Sequence, residues 1–288
     1  MPTQAKKLLK YFGIAILGLL LMLTLTILLL RWVNPPFTSF TLQADWNQLE
    51  RESYNLRTEW VHKEEIPEHI IWAVVASEDQ LFFEHFGFDL ESIREAWEER
   101  REGEGTRGAS TISQQVAKNI FLSPAQSFIR KGIEAGITVL IELFWPKERI
   151  VEVYLNIAEF GPGIFGIGKA SEVYFNRSAS QLTPEMAARF AAVLPSPKRM
   201  RVNPPSPYTR QRSRWILRQM NQLTGKTFYT FEADNQPLDE EPEMPPDSTL
   251  QNLQPDTISF DIEPDTLYRS LPDTSISITD SVDSSAME

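Results

Sequence analysis

The chain has 288 residues, enough for one large domain or two small ones, with no cysteine and only three histidines. The lack of cysteine excludes disulfides, thiolate zinc sites and cysteine nucleophiles, and three scattered histidines make a histidine metal site unconvincing. The net charge of −11 is uneven, because residues 232–288 hold 15 acidic residues and one basic residue. The rest of the chain therefore carries +3, so it can face anionic lipid or phosphate without general repulsion.

The N-terminal region contains a run of 20 uncharged, mostly aliphatic residues at positions 11–30. A helix rises about 1.5 Å per residue, so this run would cross roughly 30 Å of hydrocarbon. Three lysines precede the run and Arg31 alone follows closely, so the positive-inside rule places residues 1–10 in the cytoplasm. A cleavable signal peptide is the alternative, but the run is long for one and no Ala-x-Ala site follows. We therefore expect a transmembrane helix over residues 11–33.

The remaining chain divides into a connector, a folded domain and a tail. We expect a juxtamembrane connector at 34–65 and a domain at 66–231. Pro, Ser, Thr and acidic residues dominate positions 232–288, which predicts an acidic, disordered tail. Few segments alternate with period two, so the domain is predicted to be mainly α. Its helices are expected at residues 67–77, 90–101, 111–121, 125–144, 147–155, 169–175, 184–194 and 208–223.

The first candidate site lies where an apolar run ends in two carboxylates, Glu78 and Asp79. A carboxylate that leaves an apolar segment is partly desolvated, which raises its pKa and makes it a better base. His85 and four phenylalanines then surround Gly87, a residue suited to a sharp turn. Asp89 is placed to cap the helix that follows. The alternative interpretation is an ordinary helix end with a solvated acidic pair and an aromatic plug.

The second candidate site is the helix expected at residues 111–121, for which Ser110 is the expected N-cap. Gln114 and Lys118 share one face at i, i+4 spacing, and Gln115 lies beside Lys118. Hydroxyl, amide and ammonium groups without a carboxylate suit a sugar or a phosphate. An ordinary solvated helix face is the alternative.

The third candidate site is the segment that contains Arg130, Lys131 and Glu134. Arg130 and Glu134 are i, i+4 neighbours, so the default interpretation is a surface ion pair of small energetic value. The functional alternative is a pair of cations for phosphate beside a second carboxylate.

These segments, taken together, resemble the peptidoglycan glycosyltransferases, glycosyltransferase family 51, and the monofunctional biosynthetic transglycosylases in particular. The motifs EDQLFFEHFGFD, RGASTISQQVAKN, RKGIE and VEVYLNIAEFGPGIFGI follow one another in the order and rough spacing of that family. The match spans about residues 67–207, and AARFAAVLPSPKRM near its end also resembles the family.

The resemblance implies a lysozyme-like α domain with a smaller, membrane-embedded lobe, to which residues 120–122 and Phe128 could belong. It also implies an enzyme that joins lipid II units into β-1,4-linked glycan and releases undecaprenyl diphosphate. The expected partners are lipid II, the growing lipid-linked strand, the membrane and other cell-wall synthesis proteins, with no nucleic acid. The expected location is the inner membrane, single-pass, with the catalytic domain in the periplasm.

The resemblance also implies roles for individual residues. Glu78 matches the family's catalytic base, which would deprotonate the 4-hydroxyl of the acceptor sugar. Glu134 matches a second catalytic glutamate, which would assist the diphosphate end of the donor directly or through a divalent cation, Mg or Mn. Lys118, Arg130 and Lys131 match basic residues that contact the diphosphate. The other substrate-binding residues implied by the match are Ser110, Thr111, Gln114, Gln115, Asn119, Asp79 and His85.

Two features qualify this interpretation. Gln126 stands where relatives often have arginine, which removes one expected phosphate contact. A Ser-x-x-Lys motif is missing from any plausible domain, so the enzyme is expected to polymerise glycan without cross-linking it.

A membrane-anchored hydrolase or lytic transglycosylase, with Glu78 as the glycosidase acid, is the rival enzyme, and a membrane-anchored scaffold is the non-enzymatic rival. Lys118, Arg130 and Lys131 favour the transferase, because cleavage of neutral glycan needs no phosphate-binding cations.

Overall fold

A computed structural model of the chain describes residues 3–43, 59–102, 108–123, 127–229 and 242. These residues are mainly helical, so the predicted fold class is confirmed. Two short strands, β1 (Glu159–Gly161) and β2 (Ile164–Phe165), pair as an antiparallel hairpin, and single 3₁₀ turns lie at Lys63–Glu65 and Ala179–Gln181. The helices are α1 (Thr3–Leu30), α2 (Ser39–Gln43), α3 (Glu68–Glu78), α4 (Leu90–Glu102), α5 (Ile112–Phe121), α6 (Phe128–Phe144), α7 (Lys147–Ile157), α8 (Ile167–Phe175), α9 (Pro184–Val193) and α10 (Pro207–Thr224).

The predicted domain helices are confirmed to within about three residues at each end. The largest difference is at the start of α6, where the Ser127 hydroxyl accepts a hydrogen bond from the N–H of Arg130 (3.1 Å) and caps the helix. The predicted cap of α4 is confirmed, because Asp89 Oδ1 accepts from the N–H of Ser92 (3.0 Å). α1 begins at Thr3, ahead of the apolar run, and the predicted tail lies outside the described residues apart from Pro242.

Two groups of helices form the core of the domain. α3 packs against α9 and α10, and α5 packs against α6 and α7. The side of α9 that is buried carries four alanines, which allow close approach of its backbone to α3. The groups meet where α3 ends and α5 begins. This junction positions the side chains of the candidate site.

The end of α1 is fixed to the domain by side chains near the start of α7. The 25 residues of α1 from Lys6 to Leu30 form a segment that is long and apolar enough to cross a membrane. The indole Nε1 of Trp145 donates to the carbonyl of Ile27 (2.7 Å), and Nη2 of Arg149 donates to the carbonyls of Leu30 and Val33 (both 3.1 Å). Carbonyls at a helix C-terminus carry partial negative charge, so a guanidinium there is favourable.

Replacement of Arg149 tests this attachment. The buried guanidinium also has partners within the domain: it pairs with Glu152 (3.0 Å) and lies over Trp60 (5.4 Å). We expect Arg149→Ala to lower the free energy of unfolding by about 3–5 kcal/mol, since one half of a buried ion pair is left uncompensated. Thermal unfolding of the full chain in detergent measures the loss. Arg149→Lys keeps the charge without the planar fork, so we expect it to lose less stability than Arg149→Ala. An equally large effect in a chain without residues 1–33 would contradict a contribution from α1.

The β-hairpin contains a half-buried carboxylate, Glu159, whose Oε1 accepts from the N–H of Gly163 (3.0 Å). Burial raises the pKa of Glu159 above its ordinary value of 4.5, and the Gly163 N–H and the charge of Lys198 offset this in part. Because the folded-state pKa is the higher one, the carboxylate costs stability as the pH rises from about 4.5 through the folded-state pKa.

We therefore expect Glu159→Gln to be more stable than the wild type at pH 7, since the amide can still accept from Gly163 and needs no ionisation. The advantage should shrink below pH 4.5, where the carboxyl is protonated in both states. Thermal unfolding at pH 4 and pH 7 measures both quantities. The same advantage at both pH values would contradict this account.

Candidate active site

Glu78 is the last residue of α3, and it faces α5. The half-buried carboxylate accepts a hydrogen bond through Oε2 from the side-chain amide of Gln115 (3.0 Å). The other end of that amide, Oε1 of Gln115, accepts from the hydroxyl of Tyr154 (3.2 Å). Tyr154 therefore orients Gln115, and Gln115 in turn orients the Glu78 carboxylate.

Asp79 stands next to Glu78 but has a different role in the structure. Its buried carboxylate contacts Nε2 of His85 through Oδ1 (2.7 Å), and Oδ2 accepts from the N–H of Ile112 (2.9 Å), the first residue of α5. The first N–H groups of a helix have no partner within the helix and carry partial positive charge. Asp79 therefore joins the end of α3 to the start of α5, and the alternative of a solvated acidic pair is wrong for this residue.

The His85 ring continues this chain of contacts. Its Nδ1 accepts from the N–H of Gly87 (3.1 Å), which assigns the ring proton to Nε2, facing Asp79. Gly87 has φ +81°, and an added Cβ would lie 2.9 Å from side-chain atoms of Glu142 and Thr138. The predicted sharp turn is thus confirmed. Asp79 and His85, predicted to bind substrate, make these contacts within the protein and position α5.

The start of α5 differs by one residue from the prediction. Thr111, not Ser110, is the N-cap: its hydroxyl accepts from the N–H of Gln114 (3.2 Å), and Gln114 Oε1 accepts from the N–H of Thr111 (2.9 Å). The Ser110 hydroxyl instead accepts from Nζ of Lys131 (3.2 Å). Gln114 and Lys118 are both buried, so the alternative of a solvated helix face is wrong.

The segment at the start of α6 forms a buried cluster of charges. Glu134 is 1% exposed, and its oxygens contact Nη1 of Arg130 (3.2 Å) and Nζ of Lys131 (2.5 Å). The default interpretation of a surface ion pair is therefore wrong. Arg130 Nε is buried and makes no hydrogen bond with any other described residue. The three side chains carry a net charge of +1 and leave a buried N–H donor for an anion.

The resemblance allows a divalent cation at Glu134, but the surroundings of this residue do not fit one. Magnesium and similar hard cations take about six oxygen ligands, whereas both Glu134 oxygens already contact cationic side chains. Within the described ranges, groups of three or more His, Cys, Asp or Glu side chains that could hold a metal ion are absent. The residues around Glu134 suit an anion rather than a resident metal.

Lys118 lies one helical turn beyond Gln115, on the same side of α5. It is buried, and its Nζ lies 6.0 Å from the ring centroid of Phe40 in α2, which is within cation–π range. Asn119, the next residue, is half-buried on α5. Gln126, where relatives often have arginine, falls outside the described residues.

Sequence reasoning missed three residues that support these side chains. Tyr154, which holds Gln115, lies in a recognised motif, but nothing in its spacing points to α5. Phe40 lies in the connector, without a periodic pattern. Glu142 accepts from Ser113 Oγ (2.5 Å) and from Lys147 Nζ (2.7 Å), and joins α5, α6 and α7.

The comparisons with known proteins identify the family of the chain. A family profile described as Transglycosylase matches residues 45–221. The chain belongs to the transglycosylase family. The predicted enzyme class, a peptidoglycan glycosyltransferase of cell wall biosynthesis, is thereby confirmed.

Similar curated proteins carry the name biosynthetic peptidoglycan transglycosylase. The protein of Shewanella frigidimarina is 52% identical over 193 residues, which cover 67% of this chain and 82% of that transglycosylase. The protein of Aeromonas hydrophila is 46% identical over 222 residues, 77% of this chain and 94% of its own length. The protein of Pectobacterium carotovorum is 50% identical over 206 residues, 70% and 84% of the two chains.

Proposed function

We propose that this transglycosylase polymerises lipid II into β-1,4-linked glycan strands and releases undecaprenyl diphosphate. The proposal rests on a continuous series of polar contacts that joins a candidate base to a cluster of cations. Gln115 Nε2 contacts Glu78 (3.0 Å) and the carbonyl of Ser110 (3.5 Å), and the Ser110 hydroxyl contacts Lys131 (3.2 Å). Lys131 in turn contacts Glu134 beside Arg130.

Glu78 is the proposed base. It would take the proton of the acceptor 4-hydroxyl as that oxygen attacks the anomeric carbon of the donor. Inversion at an α-linked anomeric carbon needs one in-line displacement, so one base and a stabilised leaving group are sufficient. The bond from the anomeric carbon to the diphosphate oxygen breaks, and the proton remains on Glu78.

Lys118, Arg130 and Lys131 are the proposed partners of the leaving diphosphate. Charges in a buried site are less screened than on the surface, so they stabilise developing negative charge more strongly. The buried Nε of Arg130, for which the described residues offer no acceptor, would gain one from a phosphate oxygen. Glu134 would hold Arg130 and Lys131 in place.

The proposed location is the inner membrane, with α1 as a single-pass anchor, the N-terminus in the cytoplasm and the domain in the periplasm. Exposed apolar side chains at the start of α6, namely Phe128, Ile129 and Ile133, would enter the lipid. Ile120, which the resemblance also allows in the membrane-embedded lobe, is buried and belongs to the core. An enzyme placed this way can reach a lipid-linked donor at the membrane surface. We also propose that the protein contacts other cell-wall synthesis proteins, and we propose no nucleic-acid partner.

The experiment that tests this function is incubation of the purified full chain with lipid II, followed by gel separation of the products. We expect a ladder of long glycan strands that requires Glu78. Shortening of finished glycan, without extension of lipid II, would contradict the proposal and favour the hydrolase.

A further inference from the structure

A basic cavity of about 400 Å³ lies between the β-hairpin and the loop that follows α9. Lys198, Arg199 and Arg201 contribute three cations within four residues of chain, and Tyr174 and Asn203 line it too. Its volume is in the range of sites that bind small ligands. The sequence AARFAAVLPSPKRM, which leads into this loop, has no part in the proposed chemistry at Glu78.

The loop holds its cations on a fixed backbone. Val202 is fully buried and Met200 packs against the core, so Arg201, between them, points outward and is exposed. The Asn203 side chain donates to the carbonyl of Tyr174 (2.9 Å), which joins the loop to α8. Lys198 and Arg201 form neither hydrogen bonds nor ion pairs with described residues. Two cations are thus presented to solvent from one preformed cavity.

The cavity adjoins the elements that surround Glu78. Tyr154, which holds Gln115, lies on α7, and α7 leads into the hairpin. Ser77, beside Glu78, donates to the carbonyl of Ala191 on α9 (3.2 Å). Lys198 follows Ala191 by seven residues, so the two are at most about 25 Å apart.

The hairpin is also at the opposite end of α7 from the contacts with α1. Arg149, near the start of α7, binds the end of α1, whereas the hairpin begins after Ile157. An anionic group bound in the cavity would therefore belong to a part of the substrate that projects away from the end of the membrane helix.

We propose that this cavity binds carboxylates of the acidic peptide carried by each disaccharide unit of the substrate or growing strand. The inference rests on the proposed function. Exposed lysine and arginine side chains suit carboxylates that arrive from water, whereas the diphosphate has buried cations at Lys118 and Arg130. Glu159, close enough for its charge to interact with Lys198, would limit the affinity and so allow release of the product.

Binding of a soluble peptide tests the cavity directly. The probe is a peptidoglycan-type pentapeptide with free carboxylates, titrated into the full chain in detergent and compared with the same peptide fully amidated. We expect Lys198→Ala/Arg201→Ala to raise the Kd of the free peptide about twofold to thirtyfold at low salt, and added salt to weaken wild-type binding. Glu159→Gln should tighten binding, and Lys63→Ala, an exposed cation outside the cavity, should leave it unchanged.

Equal binding of the free and amidated peptides, or an unchanged Kd in the double variant, would overturn the inference. Thermal unfolding verifies that the exposed substitutions leave the fold intact.

Turnover separates failure of this inference from failure of the proposed function. Initial rates are measured with lipid-linked disaccharide that carries the peptide and with the same lipid lacking it. We expect the double variant to raise KM for the first substrate only, with kcat little changed. If the wild type extends neither substrate, the proposed function fails. If it extends both, and the double variant matches it on both, only the peptide site is wrong.

Discussion

Glu78→Gln is expected to fold normally and to lose polymerisation by about 10²–10⁴-fold, the usual effect of a lost general base. The amide has the same shape, and its oxygen can still accept the hydrogen bond from Gln115, but it cannot take a proton from the acceptor sugar. The measurement is the initial rate of lipid II consumption, together with thermal unfolding of the purified variant.

The matched control is Glu84→Gln, which removes an exposed carboxylate from the turn that follows α3. That variant should retain wild-type activity, because the Glu84 side chain is directed to solvent. Activity of Glu78→Gln within about tenfold of the wild type would remove Glu78 from the role of base.

The positions of the helices followed from local signals in the sequence. Proline at the start of α9, serine and threonine caps and apolar spacing are short-range features, and they gave helix bounds close to the observed ones. The main errors were also local. Ser110 and Thr111 are both capable N-caps, and the choice depends on Gln114, which completes a capping box with Thr111 only.

The roles of the polar side chains depended on contacts that sequence spacing does not encode. Asp79 reaches the N–H of Ile112 across 33 residues, and Thr111 reaches the carbonyl of Gly87 across 24. The motifs placed these residues near the site, but only the tertiary structure separates those that join helices from those that face a substrate. Glu78 and Gln115 are proposed to belong to the second group, since their contact lies at the half-buried edge of α3 and α5.

The connector at residues 34–65 also makes tertiary contacts that its sequence did not predict. The sequence predicted only that residues 34–65 link the membrane helix to the domain. In the described part of that segment, Thr38 and Thr41 are buried and bond to each other, and α2 packs against α5. The ring of Phe40 consequently lies near Lys118. A short segment without periodicity thus becomes part of the surroundings of a proposed substrate-binding cation.

Lys118→Ala is expected to reduce turnover of lipid II by about 10²–10³-fold, the usual cost of losing one group that stabilises charge in the transition state. The buried ammonium lies one turn from Gln115 and would face the diphosphate as the sugar–phosphate bond breaks. The loss should appear mainly in kcat, because negative charge on the leaving oxygen develops during the reaction.

Undecaprenyl diphosphate provides a second measurement for the same residue. The product carries the charge that Lys118 is proposed to bind, so its inhibition constant should rise in Lys118→Ala. Lys118→Arg keeps the charge and should recover part of this binding, although a planar guanidinium need not fit a site shaped for an ammonium. Lys226→Ala, which removes an exposed lysine paired with Glu68, is the control and should change neither quantity.

Lys118→Ala also distinguishes the polymerase from the rival hydrolase. Cleavage of a neutral glycan generates no diphosphate, so a hydrolase built on the same helices would be largely indifferent to Lys118→Ala. A polymerase must stabilise that leaving group in every cycle, and a buried cation is screened less than one in water. Full turnover of lipid II by Lys118→Ala would show that the diphosphate is bound elsewhere, and the proposed role of Lys118 as a partner of the leaving diphosphate would then be wrong.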